Sequence, residues 1–252
     1  MDKRGLIFRF KELIEECEAL KGYARDVLDK RTLSALSEAK STLENIQESR
    51  STGPVRWGIA LDRPLCTIWS DGESKPKSGS KHRIRAKFSF VWEIRKLDED
   101  KFRNGKYFLL DGLASTMTTI VEEVEGLERP LACWTVEVGD HVSPGAHFHF
   151  QVKGLGTEEA PFPKSLDIPR LPSPLMSPFL AIDLALGELF QDRWKMYAAT
   201  EGKDTNWWRS IHQERLLRFF RWQTECVKDC VGSPWMALKL AKPRRELLVE
   251  AG

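Results

Sequence analysis

The stretch Glu137-Val-Gly-Asp140-His141-Val-Ser-Pro-Gly-Ala-His147-Phe-His149-Phe-Gln151-Val-Lys153 gathers carboxylate, imidazole and amine side chains within 17 residues. Its second half alternates. Ala146, Phe148, Phe150 and Val152 take one face, and His147, His149 and Gln151 the other, the period of a strand with one packed side. The run before it alternates in the same way, with Ala132, Trp134, Val136 and Val138 opposite Cys133, Thr135 and Glu137. A hairpin loop over 139–145 pairs Val138 with Ala146. Glu137 then faces His147, Thr135 faces His149, and Cys133 faces Gln151, with Cβ atoms ~4.5–5.5 Å apart. In that register His147, His149 and Glu137 converge as ligands for a divalent metal, with zinc, iron or manganese suiting imidazole and carboxylate. Without a metal, Glu137 orients His147 while His149 works as a base. A plain cross-strand ion pair with hydrogen-bonded histidines fits the same residues, and the residues alone leave these alternatives open.

Asp140 followed by Gln151-Val-Lys153 resembles, in degenerate form, the restriction-like nuclease pattern of an acid and then Gln/Glu-x-Lys. The resemblance implies Mg²⁺ held by Asp140, with Lys153 steadying the attacking water or the phosphate. It belongs to a reading as a metal-dependent hydrolase, a nuclease or phosphoesterase, with His149, His147, Glu137, Asp140 and Lys153 as its catalytic set. The His-x-His pair after a glycine turn is similar to the cupin metal strand. The acid that follows that pair and the later histidine motif are missing here, so no family is assigned.

A second candidate is basic. Lys75, Lys77, Lys81, His82, Arg83, Arg85 and Lys87 place seven basic or titratable groups in 13 residues. Lys81, Arg83, Arg85 and Lys87 share one strand face at ~6.8 Å intervals, close to phosphate spacing, so RNA or DNA is the expected partner. Arg215, Arg218 and Arg221 beside Trp222, with Lys242, Arg244 and Arg245, would extend that surface and add stacking. Against this, the formal net charge is only +2, which is not the footprint of a dedicated DNA binder. Residues 51–97 carry ten basic and four acidic side chains, whereas residues 98–170 carry seven and 13. The two segments either cancel inside one fold or form two surfaces for different partners.

These residues need elements to hold them. Residues 1–50 read as a helical hairpin. Phe10, Leu13, Ile14, Cys17, Leu20, Ala24, Val27 and Leu28 form one stripe, and Leu33, Leu36, Leu43 and Ile46 a second after the polar break at Asp29–Thr32. From 52 to 153 the period becomes two, predicting an antiparallel meander of five to seven strands, clearest over 82–95. Turn signals include Asp62-Arg63-Pro64, Glu125-Gly126 and Ser143-Pro144-Gly145. Six prolines from Pro161 to Pro178 make 154–177 an extended strap. Ser177-Pro178 and Ser233-Pro234 are N-cap signals. They open a helix to about Ala199 and a short last helix, and between them a Trp-rich helix runs from about Thr205 to Cys230. The fold class is therefore α+β: an antiparallel sheet with an N-terminal helical hairpin and C-terminal helices packed on it, as one composite unit over 1–252.

The chain has 252 residues, 41% hydrophobic and 30% charged, enough to bury a core without disulfide staples. Its five cysteines are scattered, and no apolar run approaches bilayer length. Reduced thiols and a cytoplasmic location are expected, with no membrane partner. Cys226 and Cys230, four apart, read as buried small apolar residues rather than half of a metal site. Gly154-Leu-Gly156 lacks the rest of a dinucleotide fingerprint, and no phosphate loop, serine elbow or His-Glu-x-x-His is present. With the usual catalytic signatures missing, the favoured expectation is a non-enzymatic binding or adaptor protein. It contacts nucleic acid through the basic strand and a protein partner, or a second copy, through its helices.

Overall fold

The structure is a computed structural model that describes residues 5–71, 83–99, 102, 105–139, 146–153, 171–174 and 176–249. It is α+β, as the periodicities predict. The helices are α1 (Phe10–Tyr23), α2 (Lys30–Glu48), α3 (Pro178–Ala199), α4 (Lys203–Lys228) and α5 (Pro234–Leu240). The strands are β1 (Leu6–Arg9), β2 (Pro54–Ile59), β3 (Leu65–Cys66), β4 (Ser70–Asp71), β5 (Arg83–Lys96), β6 (Tyr107–Val124), β7 (Leu127–Val138), β8 (Phe148–Lys153) and β9 (Leu171–Pro172). They form one antiparallel sheet in the order β2-β5-β6-β7-β8-β9, with β3 and β4 also on β5, and β1 on β6. From β5 to β9 spatial order follows chain order, which is the expected meander.

Alternation decides which face is covered. Ile84, Ala86, Phe88, Phe90, Trp92 and Ile94 are all buried, and they point toward the helical layer. Each large side chain withdrawn from water in this way stabilises the fold by about 1.5–3 kcal/mol. Phe148 of β8 continues the inner face and meets Phe219 and Trp222 of α4 edge-on. The opposite, outer face carries Arg83, Arg85, Lys87, Ser89 and Val91 on β5, Ser115 and Met117 on β6, and Cys133, Thr135 and Glu137 on β7. At the β6–β7 turn, Val124 pairs with Leu127 across two residues of positive φ, Glu125 at 53° and Gly126 at 78°. That conformation matches the twist of a tight hairpin and explains why glycine stands second.

The N-terminal hairpin is present, and α2 starts where the polar break lies, because the Asp29 carboxylate accepts from Thr32 N at 2.7 Å. Trp57 on β2 donates its indole N–H to Ala39 O at 3.0 Å and fastens α2 to the sheet. The expectation of helix across residues 1–50 needs one correction, since residues 6–9 form β1 against β6. Leu6, Ile7 and Phe8 are all buried. Both faces of that strand are covered, which erases the alternation that would have marked it.

Ser177 caps α3 by accepting from Leu180 N at 3.2 Å, as its sequence predicts. Ser233 occupies the equivalent position before α5, but its hydroxyl makes no cap bond. The first half of α3 is buried through Phe190; the helix then kinks at Gln191, where φ is 23°, and runs on toward solvent. Most of the proline strap lies outside the described residues. Its end, Leu171–Pro172, pairs with the edge of β8, a position that tolerates proline. Among the described residues no helix is long and apolar enough to cross a membrane.

Candidate functional site

The two-stranded element that carries the histidines exists, but its register differs from the expected one. Val138 pairs with Phe148, Glu137 with His149, Thr135 with Gln151, and Cys133 with Lys153. The loop is therefore two residues longer than 139–145, and His147 precedes β8 instead of lying in it. A slip of two keeps every side chain on its predicted face, because side chains alternate with period two. Polarity pattern cannot discriminate between these registers. Gly139 N donating to His147 O at 2.5 Å closes the ladder.

On the outer face, Glu137, His149 and Lys153 are brought together. His149 Nε2 lies 3.1 Å from Glu137 Oε2, its Nδ1 lies 3.0 Å from Ala146 O, and Lys153 Nζ stands 3.8 Å from Glu137 Oε1. The hydrogen bond from His149 holds the Glu137 carboxyl down at about 2 against the opposing effect of burial, and the Lys153 ammonium helps. An ionised carboxylate and a carbonyl are both acceptors only. A role as metal ligand or base requires His149 first to leave Glu137 or Ala146. His147 is buried, with its ring edge-on to Phe148 at 5.1 Å. Asp140 of the nuclease-like pattern lies outside the described residues, and among those described no three His, Cys, Asp or Glu side chains are grouped to hold a metal ion. Beside this cluster, toward β2, the outer face forms an open groove of about 500 Å³ lined by Gly58, Leu61, Val91, Leu113 and Met117, with Ser115 and Thr135 at its β7 side.

The basic strand is also where it was expected. Lys81 lies outside the described residues, but Arg83, Arg85 and Lys87 share the outer face of β5. Glu123 takes Arg83, and Glu128 takes both Arg85 and Lys87. Trp69 lies under the guanidinium groups of Arg83 and Arg85, 5.2 and 4.7 Å from its ring centre. The hydrogen bonds from Lys87 and Arg85 outweigh burial and hold the Glu128 carboxyl below its usual range. The acidic β6–β7 hairpin thus neutralises the basic strand beside it, which is the internal cancellation that the opposite charges of the two segments allowed.

Of the arginines expected to extend that surface, Arg215 is buried instead. It donates to Glu16 and, at 3.0 Å, to Glu12, both on α1, and Ser177 Oγ donates to Glu16 at 2.6 Å. Arg218 donates to Leu248 O at 2.7 Å, and Arg245 pairs with Glu99 at 3.1 Å. Burial and the charge of Arg215 push neighbouring His212 down to about 2, so it stays neutral. A second inward carboxylate, the half-buried Asp183 on α3, accepts from the indoles of Trp194 at 2.9 Å and Trp208 at 3.2 Å. Burial raises its pKa, with those hydrogen bonds opposing. Glu16 and Asp183 were not foreseen. A charged residue inside an apolar stripe was the only available signal.

The remaining feature is an uncovered surface. Buried Trp208, His212, Arg215 and Phe219 mark the inner face of α4. Leu217, Phe220, Thr224 and Val227 mark another stripe, exposed at helical spacing. α5 contributes no buried residue, and Trp235, Met236 and Leu240 are each more than half exposed. Between α4, Leu238 of α5 and the Pro172–Pro174 end of the strap lies a cleft of about 440 Å³. No protein-family model matches this chain, and neither a curated protein nor a solved structure shows significant similarity to it.

Proposed function

We propose that this chain is a non-enzymatic binding protein that holds a protein partner on its C-terminal helices. The observation that carries the reading is the exposed apolar surface shared by α4 and α5. Phe220 and Val227 of α4 line a cleft with Leu238 of α5, and Trp235, Met236 and Leu240 stand 52–54% exposed on the same short helix; exposed apolar surface of this kind marks interaction sites. Aromatic and methionine side chains are also the types enriched at interface centres. A hydrolase reading has less support, because both ring nitrogens of His149 are engaged by acceptors. Nucleic-acid binding through β5 likewise has less support, because glutamates already occupy Arg83, Arg85 and Lys87.

The test is site-specific photocrosslinking in cells, with the crosslinker placed in turn at positions 220, 235 and 56. Positions 220 and 235 are expected to trap the same protein, lost when Leu240→Asp is added, and position 56 on the far side of the sheet is expected to trap none. Equal adducts from all three positions, or none from 220 and 235, would overturn the proposal.

A further inference from the structure

We infer that the partner presents an acidic amphipathic helix, laid along α4 with its apolar side in the cleft against α5. This rests on the protein-binding reading above and adds the chemistry of the partner. The first argument is charge. Residues 217–244 carry six basic side chains, Arg218, Arg221, Lys228, Lys239, Lys242 and Arg244, against two acidic ones, Glu225 and Asp229. Of the six, Arg221, Lys228, Lys239, Lys242 and Arg244 are exposed, and Lys228 pairs with Glu225 at 3.1 Å. A net positive charge in the segment that carries the apolar stripe selects a partner of opposite sign, speeds encounter and disfavours a second copy of the same surface.

The second argument is shape. Leu217, Phe220, Thr224 and Val227 recur at spacings of three and four, which makes a ridge about 15 Å long on α4. Such a ridge packs into the grooves of another helix, whose side chains recur with the same period. The cleft beside it, bordered by Phe219, Phe220, Val227 and Leu238, accepts one or two large apolar anchors from that helix. Ion pairs at the rim then fix direction and register, while the buried anchors hold the complex.

The probe is a synthetic helix of about 18 residues with leucine at positions i, i+3, i+4 and i+7 and glutamate on both flanks. Its controls are the same peptide with lysine flanks and a scrambled acidic peptide. The full-length chain is titrated with each by calorimetry, and also with vesicles of phosphatidylcholine containing phosphatidylserine. The acidic helix is expected to bind, and to bind about tenfold more weakly to Phe220→Ala/Leu240→Ala and to Lys228→Glu/Lys239→Glu. The second variant is expected to gain affinity for the lysine-flanked helix. Both variants alter exposed residues, and circular dichroism confirms that they are folded. Equal binding of the acidic and lysine-flanked helices, binding of the scrambled peptide as tight as the designed one, or binding of vesicles alone would overturn the inference. A protein crosslinked from positions 220 and 235 that the acidic helix does not displace would leave the proposed function standing and this inference refuted. Absence of that crosslink removes both.

Discussion

Removing the two glutamates that face the basic strand should strengthen salt-dependent binding of nucleic acid to that face. In Glu123→Gln/Glu128→Gln, Arg83, Arg85 and Lys87 lose the carboxylates that now take them. Arg85 and Lys87, released together by the loss of Glu128, free about two counterions from a duplex, a salt slope near −1.8 in log–log terms. Raising salt from about 50 to about 200 mM should then weaken binding about 12-fold through these two residues. The pairs are partly exposed, with Arg83 51% and Glu128 30% accessible. Their loss should cost under about 1 kcal/mol, and the variant should fold. The assay is fluorescence anisotropy with duplex DNA and single-stranded RNA across a salt series, on the native chain and the variant. The difference in slope isolates this strand face from every other cation. A native chain that already shows the steep slope, abolished by Arg83→Ala/Arg85→Ala, would refute the reasoning and establish the strand as a nucleic-acid interface. Identical slopes for native chain and variant would refute it from the other side.

Three further outcomes follow from the buried groups. Arg215→Met leaves the Glu16 carboxylate buried without its cation, and urea unfolding should show a loss of about 3–5 kcal/mol, against about 1 kcal/mol for Glu12→Gln at the more exposed end. A smaller loss for Arg215→Met than for Glu12→Gln would contradict the assignment. His212 takes up its proton near pH 6.5 when unfolded but only near 2 when folded. The unfolded state binds more protons in that window, so stability should fall as pH drops below 6.5, by up to about 1.4 kcal/mol per pH unit from this group. His212→Gln should flatten that part of the curve, and an unchanged curve would count against a buried neutral ring. Dialysis against a strong chelator should leave the melting temperature of the native chain unchanged, because His149 is held by Glu137 and Ala146 O. A drop on chelation that His147→Ala/His149→Ala no longer shows would restore the metal reading.

Fold class was legible because periodicity survives wherever one face is wet. β5 could be read from Ile84 to Ile94 with its basic residues between. The opening of α3 at Ser177 could be read because cap chemistry is local, and the break before α2 because Asp29–Thr32 interrupts the apolar stripe. β1 could not be read, since Leu6, Ile7 and Phe8 are buried on both sides. The two-residue slip between β7 and β8 was equally invisible, because it preserves the alternation.

The amino-acid sequence by itself determined which residues of the half-wet strands alternate, where α3 begins, and that a basic segment is followed by an acidic one. These are properties of neighbours along the chain. Tertiary structure alone decided that Glu128 neutralises Arg85 and Lys87, that Arg215 goes to Glu16 across 199 positions instead of to solvent, and that Phe220 and Trp235 remain uncovered. Whether a charge is paired or an apolar group buried depends on which distant element packs against it, and no local pattern records that.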